Sequence, residues 1–489
     1  MVRIINTQQT DTDILIAGAG PAGASLAVNL CRMGYHVTLI DSKTFPRDKI
    51  CGDFVGPVAL QELELLGIDL PSRDSSRIDD AAVFLDGRQL IQQPLPAADG
   101  LPAFGKVIPR LVLDEKIFRA AVAAGAGVLE NCRLIDFAVC PSHAEAVCIH
   151  DGRRRIITAK MIVGADGGNS TVARLFHGFR HPPGSRILAV RAYYQGVGGP
   201  SNRADLFFSS HSFPGYCWLF PSGHGMANVG VGMLMKTLPR GEHHLRDMLT
   251  GLIDTDPSLH DRMKDASLAG NIEAWPLPVF NPALRCAGDR LLLTGDAGGL
   301  VNALNGEGIQ YALLSGRWAS GTIKKALDSN DFSKAVLEGF RRRVEREIGY
   351  DLALSGTIIG LIRNRSLNPL WLDMLKVIIQ RACIDPAYAG TAGGILAGVV
   401  PASRVIKPGF LAKTVLQAGI HFGFKGMRLT LGGPRHWRAA TGDALRMGSC
   451  LAKDIAGDPE SYLKWAAGSV KEIARLSRYT VNDILSADK

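Results

Sequence analysis

The sequence predicts an α/β fold with three parts: a Rossmann-like domain, an antiparallel β-sheet domain inserted into it, and a mostly helical C-terminal region. Three features of the 489 residues indicate this fold. A glycine-rich turn joins an apolar strand to a helical segment near the N-terminus. Two later strands end in an Asp-Gly and a Gly-Asp pair, and alternating or β-rich segments lie between those pairs.

The first feature is the segment DILIAGAGPAG at 13–23, which is followed by helical spacing and by a second strand, YHVTLID. This order of elements is the βαβ fingerprint of a dinucleotide site. We expect Gly18 to make the tight turn, Gly20 to let the backbone approach a pyrophosphate, and Gly23 to let the helix pack on the strand. Asp41 ends the second strand, where its carboxylate can accept ribose hydroxyl groups.

The two later strand ends indicate which dinucleotide binds. KMIVGADGGNSTVAR at 160–174 places Asp166 after one strand, and RLLLTGDAGGLVNALNGEGIQY at 290–311 places Asp296 after another. With the first motif, these resemble the FAD-binding set of the para-hydroxybenzoate hydroxylase superfamily. The resemblance implies an FAD-binding domain of the para-hydroxybenzoate hydroxylase/glutathione reductase type. It puts Asp296 at the ribose–pyrophosphate region and the GEG motif at 306–308 beside the isoalloxazine ring.

Two further residues match this resemblance. Arg110, in VIPRLVLDEKIF, matches the flavin-proximal arginine at a helix start, and Cys51 lies in the loop where the family places a cysteine near the isoalloxazine. The resemblance then implies these cofactor contacts: Gly18, Gly20, Ala22, Gly23, Asp41, Ser42, Arg47, Cys51, Gly52, Arg110, Asp166, Gly295, Asp296, Gly306, Glu307, Gly308 and Ile309.

The inserted domain contains the stretch PGYCWLFPSGHGMANVGVG at 214–232. Period-two spacing puts Tyr216, Trp218 and Phe220 on one face of a strand. These aromatic side chains, with Pro221, form either part of a core or one wall of an apolar substrate chamber. The strands of this sheet are predicted at 188–194, 205–209, 216–220 and 227–233.

Four motifs resemble the geranylgeranyl reductase family within this superfamily. They are YxWxFP followed by GxG in the stretch above, FPRDKICGD at 45–53, NALNGEGI at 302–309 and GGILAGVVPASRVIKPGFLAK at 393–413. The resemblance favours the chamber wall over the core. Two departures matter: YCWLFP differs from the WxWxIP of flavin halogenases, and Ala303 replaces the proline of NPxxGEG, which makes that turn less rigid.

The resemblance implies that FAD carries the reaction and that the substrate is a hydrophobic small molecule or lipid. As a reductase, the protein would deliver hydride from reduced flavin to one carbon of a prenyl or related alkene while a proton reaches the other. The alternative is a monooxygenase that hydroxylates or epoxidises a hydrophobic or aromatic metabolite through a flavin hydroperoxide. Cys51, Tyr216 and Trp218 are the candidate catalytic residues, although Cys51 can equally be an inert buried thiol and Tyr216 only a wall. The electron donor stays open between NAD(P)H and another reductant. The sequence has no second Rossmann fingerprint, as the resemblance implies for a superfamily that binds NAD(P)H only transiently at the flavin.

The segment at 404–446 holds eight Lys or Arg and a single acid, Asp443, so it carries most of the net charge of +9. Aromatic and apolar residues separate the charges, which suits contact with an anionic membrane surface or a lipid headgroup. Helices packed on the FAD domain with a solvated basic face would give the same composition. No nucleic-acid-binding motif accompanies the charge, so we expect no nucleic-acid partner.

The remaining composition is that of a globular protein, with 46% hydrophobic and 21% charged residues. Nine cysteines without a CxxC pair indicate reduced thiols and no metal site. No apolar signal segment opens the chain, so we expect a cytoplasmic protein, with peripheral membrane association and oligomeric state left open. The predicted domains are FAD-binding at 1–80, 106–182 and 280–345, substrate-binding at 81–105 and 183–279, and helical at 346–489.

Overall fold

The computed structural model describes residues 10–179, 186–239, 244–431 and 433–487. The predicted domain boundary between 182 and 183 lies outside these residues. The strands are β1 (Thr12–Ala17), β2 (Val37–Ile40), β3 (Phe54–Val55), β4 (Ser76–Ile78), β5 (Asp80–Leu85), β6 (Arg88–Pro94), β7 (Gly105–Val107), β8 (Gly127–Leu129), β9 (Cys132–Val139), β10 (Ala144–His150), β11 (Arg153–Gly164), β12 (Arg186–Gln195), β13 (Arg203–Phe208), β14 (Tyr216–Gly223), β15 (Met226–Leu234), β16 (Ser267–Pro278), β17 (Ala287–Gly288) and β18 (Leu291–Leu293).

The helices alternate with the strands in the first half of the chain and dominate its last third. They are α1 (Pro21–Arg32), α2 (Pro57–Leu65), α3 (Arg110–Ala123), α4 (Thr171–His177), α5 (Leu245–Thr255), α6 (Pro257–Met263), α7 (Ile309–Ser329), α8 (Lys334–Ile362), α9 (Asn368–Ile384), α10 (Pro386–Leu396), α11 (Pro408–Leu431), α12 (Gly433–Gly457) and α13 (Pro459–Ala487). Among the described residues, none of these helices combines the length and the apolar character needed to cross a membrane.

The largest sheet forms the Rossmann-like domain. Its strand order is β17-β18-β11-β1-β2-β8, with β1 parallel to both β2 and β11, and an antiparallel pair, β9 and β10, extending from β11. Ile14, Leu15 and Ile16 of β1 are fully buried, as a parallel strand covered on both faces requires. Helices α1 and α7 pack so closely that a Cβ built on Gly316 would lie 2.2 Å from the Ser25 hydroxyl oxygen. Because β18, β11, β1 and β2 run in parallel, their carboxyl ends lie at the same edge of the sheet, and α1 begins at this edge directly after β1.

The inserted sheet has seven strands in the order β16-β12-β15-β14-β13-β5-β6. Neighbouring strands are antiparallel except β5 and β13, which pair in parallel from Asp80↔Arg203 to Leu85↔Phe208. The sheet is otherwise the antiparallel one that the sequence predicts, and this pair is its exception. The reason is that β5 and β6 come from a separate, earlier part of the chain, so no hairpin turn sets their direction relative to β13.

The third sheet, β3-β7-β4, is short and joins the two larger ones. Its strand β3 directly follows Asp53, and its strand β7 leads into α3 at Arg110. The FPRDKICGD segment therefore lies between the Rossmann-like domain on one side and the inserted sheet on the other.

Candidate active site

The first glycine turn has the shape that a bound pyrophosphate requires. Gly18 has φ +104°, and a Cβ built on it would lie 2.3 Å from the Ala165 carbonyl oxygen. A Cβ on Gly23 would lie 1.9 Å from the Gly18 carbonyl oxygen, so only glycine fits at either position. Helix α1 begins after Gly20 without a side-chain cap, which leaves its first N–H groups available to an anion. These observations fit the phosphates of FAD.

The acid at the end of β2 lies against this turn. Asp41 Oδ2 accepts a hydrogen bond from the Ala19 N–H at 2.9 Å, and its Oδ1 accepts one from the Lys43 N–H at 3.0 Å. Arg47 lies 3.6 Å from Asp41 Oδ2, whereas the neighbouring Ser42 is exposed. The structure thus brings Asp41 and Arg47 together beside the pyrophosphate turn, whereas the exposed Ser42 is not brought into this group of contacts.

The Gly-Asp pair after β18 meets the same turn from the other side. Gly295 has φ +55°, and a Cβ built on it would lie 2.8 Å from the Ala22 Cβ, so β18 ends against the first turn of α1. Asp296 Oδ2 pairs with Lys49 Nζ at 2.9 Å. Burial alone would raise the pKa of Asp296, but the charge and hydrogen bond of Lys49 outweigh burial and lower it. Asp296 is therefore ionised at neutral pH.

Asp166 has a structural role in addition to its predicted one. Its carboxylate accepts hydrogen bonds from the Ser170 hydroxyl, from the Thr171 N–H at 2.7 Å and from the Val172 N–H at 3.2 Å. These contacts satisfy N–H groups at the start of α4. Its contact with the cofactor stays a prediction.

The turn before α7 carries the GEG motif. Gly306 has φ +72°, and α7 begins at Ile309 after Gly308 without a side-chain cap. The Tyr216 hydroxyl donates a hydrogen bond to the Asn305 carbonyl oxygen at 2.7 Å. Strand β14 of the inserted sheet is therefore attached directly to the turn that the sequence places beside the isoalloxazine ring.

Glu307 extends from this turn towards the C-terminal region. A Cβ built on Gly398 would lie 2.9 Å from Glu307 Oε2, and one on Gly56 would lie 3.4 Å from Glu307 Oε1. Burial raises the pKa of Glu307 to about 8. At neutral pH the Glu307 carboxyl group is therefore protonated and uncharged in most molecules. This proton lies on the residue that directly follows Gly306.

A buried ion cluster lies on the other side of the same cleft. Arg110 makes two hydrogen bonds to Asp114, at 2.7 and 2.8 Å, and Arg47 Nη1 lies 2.9 Å from the same carboxylate. Arg110 also interacts with the Cys51 thiol. Burial raises the pKa of Cys51 more than the nearby guanidinium lowers it, so the thiol stays protonated at neutral pH. This favours a packing or positioning role for Cys51 over a nucleophilic one.

The three aromatic residues of β14 form one continuous wall. The Trp218 ring centroid lies 6.3 Å from that of Tyr216 and 6.3 Å from that of Phe220. A Cβ built on Gly52 would lie 3.4 Å from Phe220 Cε2 and 3.5 Å from Trp218 Nε1. The wall therefore runs from the Cys51–Gly52 loop at one end to the Asn305–Gly306 turn at the other.

The GxG of strand β15 makes room for this wall. Gly230 pairs with Trp218 and Gly232 with Tyr216, and a Cβ on Gly230 would lie 2.3 Å from Trp218 Cζ2. The indole thus lies over the β15 backbone. Pro221 differs from the prediction, because strand alternation turns it to the opposite face, with Cys217 and Leu219, and away from the wall.

A buried polar network that the sequence did not predict lies on the same face of the sheet as the wall. The Trp218 Nε1–H donates to Asn228 Oδ1 at 3.0 Å. Asn228 Nδ2 in turn donates to the Cys51 carbonyl oxygen and to Asp53 Oδ2, both at 2.8 Å. The Tyr193 hydroxyl donates to the same Asp53 oxygen. This network joins the wall to the Cys51 loop and fixes their separation.

Asp53 gives a pH-dependent prediction. Burial raises its pKa from 3.8 to about 6, against the hydrogen bonds from Tyr193 and Asn228, which lower it. The folded protein binds this proton more tightly than the unfolded chain. The resulting stabilisation is fully present below pH 3.8 and is lost as pH rises through about 6, which amounts to about 3 kcal/mol.

We expect Asp53→Asn, which keeps the size and tolerates the positive φ at this position, to cancel this dependence. Urea unfolding in steps between about pH 4 and pH 7 should show the variant gaining stability relative to wild type as pH rises. Asp79→Asn is the control, because hydrogen bonds from Arg77 and Asn202 lower the pKa of Asp79, so its pH dependence lies mostly below this range and its difference from wild type should be nearly flat. A flat difference for Asp53→Asn would contradict the assignment.

A cavity of about 250 Å³ with a mixed polar and apolar lining lies beyond the Tyr216 end of the wall. Its apolar lining includes Leu234, Val279, Ala303 and Leu352, and α13 contributes the charged side chains of Lys464, Glu472 and Arg475. Leu234 is two residues past the partner of Tyr216 on β15, and Ala303 is two residues before Asn305. The cavity therefore adjoins the wall at both elements.

One cluster of side chains with metal-binding character lies away from this cleft, at the turn between β9 and β10. Cys140, His143 and Glu145 place a ligand atom each within 4.8 Å of the others, and His143 Nε2 lies 3.0 Å from Glu145 Oε1. The sequence predicts no metal site, because it contains no CxxC pair and no His–Cys cluster at a recognised metal-ligand spacing. That prediction stays untested.

Comparison with known proteins agrees with this geometry. Residues 11–185 match the model of an FAD binding domain, and residues 188–267 match that of the geranylgeranyl reductase catalytic domain. The chain is 33% identical over 325 residues to a menaquinone reductase of Mycolicibacterium smegmatis, covering 64% of this chain and 76% of that protein. It is 29% identical to digeranylgeranylglycerophospholipid reductase 2 of Methanosphaera stadtmanae, covering 69% and 84%. A geranylgeranyl bacteriochlorophyll reductase-like structure from Thermoplasma acidophilum superposes with a TM-score of 0.66 at 22% identity, covering 75% and 91%, and shows the shared fold.

Proposed function

The chain belongs to the geranylgeranyl reductase family of FAD-dependent oxidoreductases, and from this premise we propose that it reduces carbon–carbon double bonds in the prenyl chain of a lipid. The observation that carries the proposal is the aromatic wall of β14, which spans both loops predicted to hold the flavin. The similar proteins named above are reductases of menaquinone and of a digeranylgeranyl phospholipid, and both names describe a lipid with an isoprenoid chain.

The wall suits a long unactivated alkene. The wall presents the apolar ring surface of Tyr216, Trp218 and Phe220. The indole N–H of Trp218 already donates to Asn228, so it does not need a water molecule as its hydrogen-bond acceptor. An alkene lying against these rings would be held in a fixed orientation with water excluded. The cavity past Tyr216 offers space for the continuing chain along its apolar residues Leu234, Val279 and Leu352.

FAD, when bound and reduced, supplies the hydride for one alkene carbon, and an external two-electron donor is needed for each bond reduced. The protein must provide a proton for the other carbon. Burial raises the pKa of the Tyr216 hydroxyl and of Glu307, so both side chains carry a proton at neutral pH. Tyr216 lies in the wall itself, but its hydroxyl proton is donated to the Asn305 carbonyl oxygen, and Glu307 is the stronger acid of the two.

The test is anaerobic reduction of the purified flavoprotein with dithionite, followed by a geranylgeranylated phospholipid. We expect reoxidation of the flavin spectrum together with a product two mass units heavier for each bond. The phospholipid is preferable to menaquinone as a first substrate, because a quinone ring can itself accept electrons from reduced flavin and also gains two mass units. With menaquinone, fragment masses of the air-reoxidised product must place the added hydrogen in the side chain.

Two outcomes would contradict the proposal. Reoxidation only after oxygen is admitted, with a product sixteen mass units heavier, would assign the protein to the monooxygenases. No reaction with either prenyl lipid would refute the substrate class, while the FAD site would be unaffected.

A further inference from the structure

Helix α11 is amphipathic in the reverse sense from an ordinary surface helix. A helix on a soluble protein buries its apolar side and exposes its polar side. In α11 the polar side chains face the protein, and a broad apolar side faces outward. The side chains of 428–444 lie outside the described residues, and the side of α11 described below runs up to Lys425.

The inward side of α11 is held to α9 and α10 by charge and hydrogen bonds. Lys413 pairs with Asp385 at 2.7 Å, and Lys425 pairs with Asp373 at 2.6 Å. Between them, the Thr414 hydroxyl lies 2.9 Å from that of Tyr388. Gln417 and His421 both reach the side-chain oxygen of Gln380, at 3.4 and 3.1 Å. These contacts set the rotation of the helix about its axis.

With that rotation, large apolar side chains point to solvent. We call them the α11 apolar face: Leu411, Val415, Leu416, Ile420, Phe422 and Phe424. Val415 is 69% exposed and Phe424 62%. Small residues lie between them, namely Ala412, Gly419 and Gly423. A contiguous exposed surface of this kind marks a contact site rather than chance exposure.

The segment that carries the α11 apolar face is itself basic, and the acids described above contact it through Lys413 and Lys425. Arg404 and Lys407 are exposed just before the helix, and Lys425 is partly exposed near the end of the described face. The sequence from Arg404 to Met427 contains no Asp or Glu. A second copy of the same surface would therefore bring cations against cations. An anionic lipid surface is complementary both to the cations and to the apolar side chains.

We propose that α11 lies flat in the headgroup layer of an anionic membrane, with the α11 apolar face toward the acyl chains. The helix is 24 residues long and places cations near both ends of its described face, as an interfacial helix does. The occupant of this face is a lipid bilayer.

The membrane contact would lie close in sequence to the catalytic cleft. The Asn305 side chain donates to the Leu396 carbonyl oxygen at 2.8 Å, and Gly398 lies against Glu307. Helix α11 starts at Pro408, so only a short segment separates the membrane contact from the turn at the flavin site. The link to lipid delivery rests on the proposed function, whereas the membrane contact itself does not.

The experiment is flotation of the FAD-loaded protein with vesicles of phosphatidylcholine, with and without phosphatidylglycerol. We expect binding to the anionic vesicles that weakens as salt is raised. Val415→Gln with Phe424→Gln should lower the bound fraction at least about tenfold, because two apolar side chains lose their burial. The matched control is Leu65→Gln with Ile156→Gln, which are 58% and 54% exposed on other elements and should bind as wild type does.

Two results would overturn the membrane proposal. One is equal flotation of wild type and the Val415→Gln/Phe424→Gln variant, or no flotation of either. The other is a wild-type dimer in sedimentation that the same variant converts to monomer, which would make the α11 apolar face a self-association surface. Alkene reduction in detergent-dispersed substrate should be unchanged in this variant, so failure of the proposed reaction and failure of membrane binding can be told apart.

Discussion

Replacing Trp218 with alanine should lower kcat on a prenyl lipid by at least about 100-fold while the purified protein keeps its FAD. The indole is the middle of the aromatic wall, and its removal leaves a gap between Tyr216 and Phe220. It also leaves Asn228 Oδ1 without its donor. The alkene would then lie in a wetter, wider space, and small displacements from the flavin cost large factors in rate.

Turnover and flavin content must be measured together. Flavin absorbance of the gel-filtered variant reports cofactor retention, and single-turnover reoxidation by the prenyl lipid reports chemistry. Trp371→Ala is the matched control, since Trp371 is a partly buried indole in α9 that packs near Leu85 and Phe213, outside the cleft. Unchanged turnover in Trp218→Ala would return the β14 face to a purely structural role, and loss of FAD would mean that the wall supports the cofactor site.

Local motifs were readable from the sequence because their function depends on backbone shape. The strand–turn–helix order of the first motif already requires glycine at Gly18 and Gly23. In the structure a Cβ at these positions would lie 2.3 and 1.9 Å from a backbone carbonyl oxygen, which excludes any side chain. Tyr216, Trp218 and Phe220 share a face because strand alternation is itself a local rule. Applied strictly, the same rule would have excluded Pro221.

The buried network needed the three-dimensional structure. Asn228 and Asp53 are 175 residues apart, and no local sequence pattern in either segment predicts that they form a hydrogen bond. One signal was present: in MANVGVG, Asn228 has the same period-two spacing as Gly230 and Gly232, which marks an amide on the chamber side of a strand. A buried amide at such a position requires a partner. The parallel pairing of β5 with β13 had no signal of that kind.

The basic segment shows the same limit. Composition predicted either a membrane contact or helices with a solvated basic face. The structure shows that Lys413 and Lys425 pair with Asp385 and Asp373, so part of the charge that dominates the composition is paired with acids of the neighbouring helices, although both lysines stay partly exposed. The exposed side is apolar instead. Only the rotation of α11, set by contacts with distant helices, distinguishes these arrangements.

Arg110→Met should have the largest effect on stability, a loss of about 3–5 kcal/mol in the free energy of unfolding. Arg110 and Asp114 are both buried, and the substitution removes two hydrogen bonds from a carboxylate with no exposure. Arg47 continues to contact Asp114 at 2.9 Å, but one cation cannot replace both. Urea unfolding of the FAD-loaded protein, followed by tryptophan fluorescence, measures the change.

The double variant Arg110→Met/Asp114→Leu tests whether the loss comes from a stranded charge. Removing both partners leaves no uncompensated carboxylate, so most of the stability lost in Arg110→Met should return. Arg47 then loses Asp114 but stays partly exposed and 3.6 Å from Asp41. Arg119→Met is the control on the same helix, because its pair with Glu115 has the same spacing of four residues but is solvent-exposed, and it should cost less than about 1 kcal/mol. If the double variant is no more stable than Arg110→Met, the destabilisation comes from lost packing around Cys51 and not from the buried charge of Asp114.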